Sequence, residues 1–251
     1  MAEFPASWWR AERPLVFAHR GVNRLAPENT LAAFRKAAEL GIDGVELDVH
    51  ISADGVPVVI HDFRVDKLTD GTGWVGALTL AELKALDAGA HFGPEFAGER
   101  IPTLEEVFAE LGQQLLFNVE LKPSRQENNL GKTVVELARW MGMFGRMWIS
   151  SFKPYSLQVV RSVAPTLPCG LLYNATTWTT RMLAPITPHD ALHPHYKLLR
   201  ERSVRRAHER GLRVAAWTVD DTETAAQLAD WGVDVLISNE PQALLTALAN
   251  R

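Results

Sequence analysis

Short apolar runs alternate with longer segments of helical period along this chain, and that alternation limits the fold more than any other sequence feature. Runs at 14–19, 44–50, 115–122, 147–152, 168–173, 190–193, 212–219 and 233–238 read as strands. Segments with apolar residues at helical spacing lie at 29–40, 104–111, 130–141, 155–163, 196–209, 222–231 and 241–249. Strands separated by helices are the pattern of parallel βα units, because a crossover helix must carry the chain back to the starting edge. Eight such strands in 251 residues predict an α/β fold, a (β/α)8 TIM barrel. An open doubly wound nucleotide binder would carry a Gly-rich phosphate turn after its first strand, and this chain has none. Thr103 and Glu106 are spaced as a capping box, and Gly41, Gly112, Gly142, Gly211 and Gly232 fall where helices should stop. The stretch 174–189 carries no clear helix.

One interval breaks the rhythm. A strand at 56–61 follows 44–50 too closely for a crossover helix, and Asp54-Gly55 between them is a hairpin signal. A two-residue loop would set Asp48 opposite His61, and a four-residue loop would set Glu46 there. Residues 62–101, rich in Gly and aromatics, then read as a small insertion, a cap or lid on a single catalytic domain spanning 1–251. Trp8 and Trp9 are expected to cover the closed end of the barrel.

Composition narrows the partners. Lys plus Arg total 26 against 30 Asp plus Glu, a net charge of −4, so no global positive field gathers nucleic acid. Cys169 is the single cysteine and excludes both an intrachain disulfide and a thiolate zinc cluster. The first residues lack the basic start and apolar stretch of a signal peptide. No run approaches the roughly 18 apolar residues of a membrane span. These features predict a cytoplasmic protein with no stable membrane association.

Barrel enzymes carry their chemistry at the C-terminal ends of the strands. The first strand ends in His19-Arg20-Gly21. The second carries Glu46 and Asp48, which share a face because strand side chains repeat with period two. The third carries Glu120 and Lys122 on one face, with Asn118 two residues earlier. Burying ionised carboxylates together costs several kcal/mol each unless positive charge joins them. Arg20 and Lys122 offset part of that charge, and a hard divalent cation, Mg2+ or Ca2+, suits three converging carboxylates. A cation beside Arg and Lys fits an oxygen-rich anion such as phosphate, and His19 and His61 supply a general acid and base. The set points to metal-assisted phosphodiester cleavage. The plainer reading is an ion-pair network of these acids with Arg20 and Lys122, and histidines bonded to backbone carbonyls.

His19-Arg20-Gly21, Pro27-Glu28-Asn29-Thr30, Glu46-Leu47-Asp48, His61-Asp62 and Glu120-Leu121-Lys122, in this order, resemble the glycerophosphodiester phosphodiesterase family. Ile101-Pro-Thr-Leu-Glu-Glu, Ser150-Ser-Phe, Leu192-His-Pro and Trp217-Thr-Val add to the likeness. The resemblance implies a barrel with an insertion after His-Asp, a divalent metal, and hydrolysis of glycerophosphodiesters to glycerol 3-phosphate and an alcohol. It implies metal ligation by Glu46, Asp48 and Glu120, acid and base roles for His19 and His61, and phosphate contacts from Arg20 and Lys122. Glu28 would hold the mouth in shape, with Asn29 reaching toward the site. Asp220 departs from the family pattern, in which Asn is frequent.

Trp217 and Phe152 are candidates for a substrate wall, with core packing as the alternative. Among the other histidines only His193 is placed toward the barrel; His189 and His195 read as a solvated loop. Two further functions stay open: a lysophospholipase D-type activity, for which Phe92 and Phe96 could shelter an acyl chain, and a non-catalytic phosphodiester-binding barrel.

Overall fold

The computed structural model describes residues 4–5, 8, 13–123 and 129–249. Among them, strands β1 (Leu15–His19), β2 (Gly44–Ile51), β4 (Leu116–Leu121), β5 (Met147–Ser151), β6 (Cys169–Tyr173), β7 (Ala191–Pro194), β8 (Arg213–Ala216) and β9 (Val235–Ser238) pair in parallel. The β1–β2 pairing closes the circle, so the predicted eight-stranded barrel forms. Helices α1 (Leu31–Glu39), α3 (Leu104–Leu111), α4 (Leu130–Trp140), α5 (Pro154–Val163), α7 (Glu201–His208) and α8 (Thr222–Asp230) return the chain between strands, and α9 (Pro241–Ala249) follows the last one. Thr103 and Glu106 form the expected capping box on α3. Gly41, Gly142, Gly211 and Gly232 take the left-handed conformation that ends a helix, whereas Gly112 stays right-handed.

The hairpin strand β3 (Pro57–Val59) pairs antiparallel with the upper part of β2, leaving the lower part to β1. Neither expected register is observed. The turn closes with Ser52 N donating to Val56 O at 3.0 Å, giving a three-residue loop, Ala53 to Gly55, with Gly55 left-handed at φ 88°. That shifts the pairing by one, so Asp48 O accepts from Ile60 N at 3.0 Å and His61 follows beyond the ladder.

Residues after His61 build a small apolar cluster rooted on the hairpin, in which Val65, Val75, Leu83 and Ala88 pack with Val58, Ile60 and Ile101. Its helix α2 (Leu80–Ala85) is capped by a Thr79–Glu82 box. The stretch without helical pattern contains a short helix, α6 (Trp178–Leu183), and the expected 196–209 helix starts only at Glu201, after a 3-10 turn at Tyr196–Leu198.

The barrel interior is apolar at its closed end, where Leu15, Phe17, Trp148 and Val235 pack together. Trp8 joins them and donates its indole N–H to Gly145 O at 3.0 Å; the expectation for Trp9 lies outside the described residues. Nearer the mouth the inner row turns polar: Asp48, Glu120, Ser150 and Gly170 are register neighbours across β2, β4, β5 and β6. A Cβ at Gly170 would lie 2.3 Å from His193 Nε2, so glycine there makes room for the fully buried imidazole.

Candidate active site

The ends of β1, β2 and β4 gather the acids and cations that the sequence singles out. One carboxylate oxygen each from Glu46, Asp48 and Glu120 lies within 4.8 Å of the other two, and all three residues are buried. Lys122 Nζ stands 2.8 Å from Glu120 Oε1 and 3.2 Å from Asp48 Oδ1. Arg20 Nε lies 3.3 Å from Asp48 Oδ2, and its Nη1 donates to Glu28 Oε1 at 2.9 Å. Asn29 Nδ2 donates to the same Asp48 oxygen at 3.0 Å.

Two left-handed non-glycine residues make this possible. Arg20 (φ 59°) and Asn29 (φ 57°) each hold a conformation that costs about 1–3 kcal/mol. Arg20 N donates to Glu46 O at 2.8 Å, and Asn29 N donates to Arg20 O at 2.9 Å, so the second loop props the first. Gly21 has φ 80° and a Cβ there would meet Ala33 Cβ at 2.7 Å, so both conformation and space demand glycine. His-Arg-Gly and Pro-Glu-Asn-Thr are two halves of one support.

The electrostatics separate the three acids. Burial and the charges of Asp48 and Glu120 push Glu46 well above the usual carboxylate range, and Arg20 and Lys122 offset this only in part. Burial also raises Glu120, to about 7, against the pull of Lys122. Burial would raise Asp48 too, but Lys122 and Arg20 outweigh it and hold Asp48 below its ordinary value. Among the described residues, three acids against two side-chain cations leave a buried negative charge. Among the described residues no Lys or Arg side chain pairs with Glu46, whose neighbours are Arg20 N at 3.2 Å and His19 Nε2 at 3.9 Å. An all-oxygen set carrying that excess charge fits a hard divalent cation.

This arrangement fixes how the metal-free protein responds to pH. Glu120 unfolded ionises near 4.5 and folded near 7, so between those values the folded chain keeps a proton that the unfolded chain has released. The stability that proton brings is fully present below about 4.5 and is lost as pH rises through about 7. Calorimetry of chelator-treated protein should therefore show the contribution of Glu120 to Tm falling from pH 5 to pH 8, with Mg2+ or Ca2+ restoring it at pH 8. A metal-free Tm that climbs over that window and ignores both ions would contradict the charge balance.

Both histidines sit where Asp48 acts on them. His19 Nδ1 lies 2.8 Å from Asn239 Oδ1. Burial, reinforced by Arg20, lowers its pKa against the Asn239 bond and Asp48. His61 Nδ1 lies 2.7 Å from Asp62 Oδ1, and burial lowers its pKa against Asp48 and Asp62. His50 is kept neutral by burial, its pKa lowered to about 4, and its Nε2–H donates to His61 O at 3.1 Å. The sequence reading gave no role to His50, Asn23 or Asn239. His50 follows Asp48 by two on β2 and so shares the acids' face, a signal that strand period carries, whereas Asn23 and Asn239 sit in loops about 216 residues apart with no shared motif. Asp62 also had a visible signal, its place beside His61.

Phe152 and Trp217 meet edge to face with centroids 5.5 Å apart, on the β5–β8 side of the mouth. Trp217 Nε1 donates to His193 O at 2.8 Å, which holds the indole upright. Asn23, Glu28 and Asn239 from the barrel loops face Leu68, His91 and Phe92 from the inserted segment across a cavity of about 210 Å3. No helix among the described residues is long and apolar enough to cross a membrane.

Residues 19–243 match the glycerophosphoryl diester phosphodiesterase family. A glycerophosphodiester phosphodiesterase of Caldanaerobacter subterraneus subsp. tengcongensis is 41% identical over 93% of this chain and 97% of its own length. A solved phosphodiesterase of Oleispira antarctica, in complex with the product sn-glycerol-3-phosphate, superposes with a TM-score of 0.81 at 34% identity, covering 94% of this chain and 97% of that one. The glycerophosphodiester phosphodiesterase of Agrobacterium tumefaciens matches with a TM-score of 0.81 at 30% identity, over 93% and 99% of the two chains. With the motifs in order, the barrel closed and the acids converged, the chain belongs to the glycerophosphoryl diester phosphodiesterase family.

Proposed function

We propose that this protein hydrolyses glycerophosphodiesters, such as glycerophosphocholine or glycerophosphoethanolamine, to glycerol 3-phosphate and an alcohol, with Glu46, Asp48 and Glu120 holding a Mg2+ or Ca2+ ion. The observation that carries this reading is the convergence of three buried carboxylates whose charge Arg20 and Lys122 leave incompletely balanced. The product bound to the Oleispira relative supports it. When bound, a divalent cation supplies Lewis-acid polarisation of phosphoryl oxygens.

The chain's own residues account for the rest. Arg20 and Lys122, anchored on Asp48, keep guanidinium and ammonium donors beside the place where phosphoryl charge grows. His19 accepts the proton of the nucleophile, water or the glycerol 2-hydroxyl, as its oxygen bonds to phosphorus; a cyclic phosphate formed by the 2-hydroxyl is then opened by water to glycerol 3-phosphate. The bond from phosphorus to the leaving oxygen breaks, and that oxygen takes a proton from His61. The partners support this order: His19 faces a neutral amide, whereas His61 faces the Asp62 carboxylate, which favours the charged ring. Residues 62–101 serve as a cap of the same domain and wall the cavity beside His19. Phe152 and Trp217 form the apolar wall of the substrate groove. The lone thiol Cys169, buried and raised to about 12, suits the reducing cytoplasm.

Purified protein with Mg2+ or Ca2+ should release glycerol 3-phosphate from a panel of glycerophosphodiesters. Turnover of lysophosphatidylcholine far above glycerophosphocholine would replace this substrate class, and binding without product would remove the enzyme reading.

A further inference from the structure

Asp220 closes a chain of hydrogen bonds that ends on His19. Its Oδ1 accepts from Asn239 N at 2.7 Å and its Oδ2 accepts from Asn239 Nδ2 at 2.8 Å, with Ser238 Oγ donating at 3.3 Å. A carboxylate only accepts, so the amide nitrogen of Asn239 must face Asp220 and the amide oxygen must face away. That oxygen accepts from Asn23 Nδ2 at 2.6 Å and stands 2.8 Å from His19 Nδ1. Asn23 cannot be turned round, because the same nitrogen donates to His19 O at 3.0 Å. Every link has one direction. Nδ1 of His19 is left only a donating role, which puts the imidazole lone pair on Nε2, the nitrogen that faces Glu46 at 3.9 Å.

We propose that Asp220 is a positioning residue for the reaction: by fixing the amide of Asn239 it holds His19 in the tautomer whose Nε2 can accept a proton. The proposal rests on the reading of His19 as the base. Asp220 touches no reacting atom and acts through two intervening groups. A ring held as Nδ1–H takes the hydroxyl proton on Nε2 and becomes imidazolium, whereas a ring held as Nε2–H presents no lone pair there.

The logic can be tested by exchanging partners. In Asp220→Asn one acceptor becomes a donor, so the Asn239 amide loses its single direction: unturned it faces the new N–H, and turned it offers N–H to His19 Nδ1 while facing the Asn23 amide nitrogen. In Asn239→Asp two carboxylates face each other. The double exchange, Asp220→Asn with Asn239→Asp, restores the order: the new amide donates to the new carboxylate, which accepts from His19 Nδ1–H. Each single variant should lose about 10–100-fold in kcat on glycerophosphocholine with KM changed far less, and the double variant should recover most of it. In 15N NMR of the imidazole, Nδ1 should carry the proton in the parent and in the double variant, and share it with Nε2 in Asp220→Asn.

Thermal melts establish that all variants are folded, and a structural role alone would move Tm without moving the tautomer. Parent kcat and an unchanged tautomer in Asp220→Asn, or a double variant no better than the singles, would overturn the proposal. His19→Ala separates the two levels. Parent-like turnover there would overturn the base assignment itself, whereas an inactive His19→Ala beside a fully active Asp220→Asn would overturn only the role of Asp220.

Discussion

Exchanging Glu46 for glutamine should abolish most turnover and, in the same molecule, stabilise the metal-free protein. Both effects have one cause. Glu46 is buried beside two like charges and, among the described residues, has no Lys or Arg side chain of its own, so its ionised form is held in the fold only at a cost. Glutamine keeps the shape, and its oxygen can still accept from Arg20 N, which now lies 3.2 Å from Glu46 Oε2. With one carboxylate gone, Arg20 and Lys122 balance Asp48 and Glu120, and Tm of the chelated protein at pH 8 should rise by several degrees at about 2–4 °C per kcal/mol. The catalytic loss should be at least about 10²–10³-fold in kcat, the usual scale for removing one electrostatic support of a transition state. A variant that is less stable than the parent without metal, yet still active, would contradict the charge balance in the site.

His61→Ala should lower kcat on glycerophosphocholine by about 10²–10⁴-fold, the range of general acid–base contributions. The informative comparison is the leaving group. An alkoxide such as that of choline needs a proton as it departs, whereas p-nitrophenolate leaves without one. On the glycerol phosphodiester of p-nitrophenol the same variant should stay within about tenfold of the parent, because the step assigned to His61 is no longer required. His19→Ala, which removes the proposed base, should lose activity on both substrates. Equal losses in His61→Ala on both substrates would take the acid role from His61, and a leaving-group effect in His19→Ala instead would reverse the order of the two rings.

Much of this was readable in the chain because the signals were local. Helix α3 occupies the residues expected because a capping box and a clean apolar period mark its ends. The acids of β2 and β4 lie on the faces that strand periodicity assigns them, whereas the register that sets Asp48 beside Glu120 comes from the closed barrel. What stayed hidden depends on details that a pattern does not carry. Leu198 and Leu199 continue the helical period, yet Arg200 is extended at φ −142° and delays α7 to Glu201. The hairpin register hung on whether the loop held two, three or four residues, and the left-handed Gly55 decided for three. Helix α6 is too short to show a period. Asn23 and Asn239 carry no motif, and only the closed barrel brings them to His19.

The central claim is that Glu46, Asp48 and Glu120 hold a divalent cation on which hydrolysis depends. Calorimetric titration of chelator-treated protein with Mg2+ and with Ca2+, read beside release of glycerol 3-phosphate from glycerophosphocholine, tests it most directly. The parent should bind one ion per chain and regain activity in step with occupancy, while Glu46→Gln does neither. Full turnover in the chelated parent, or an unchanged binding isotherm in Glu46→Gln, would contradict the claim.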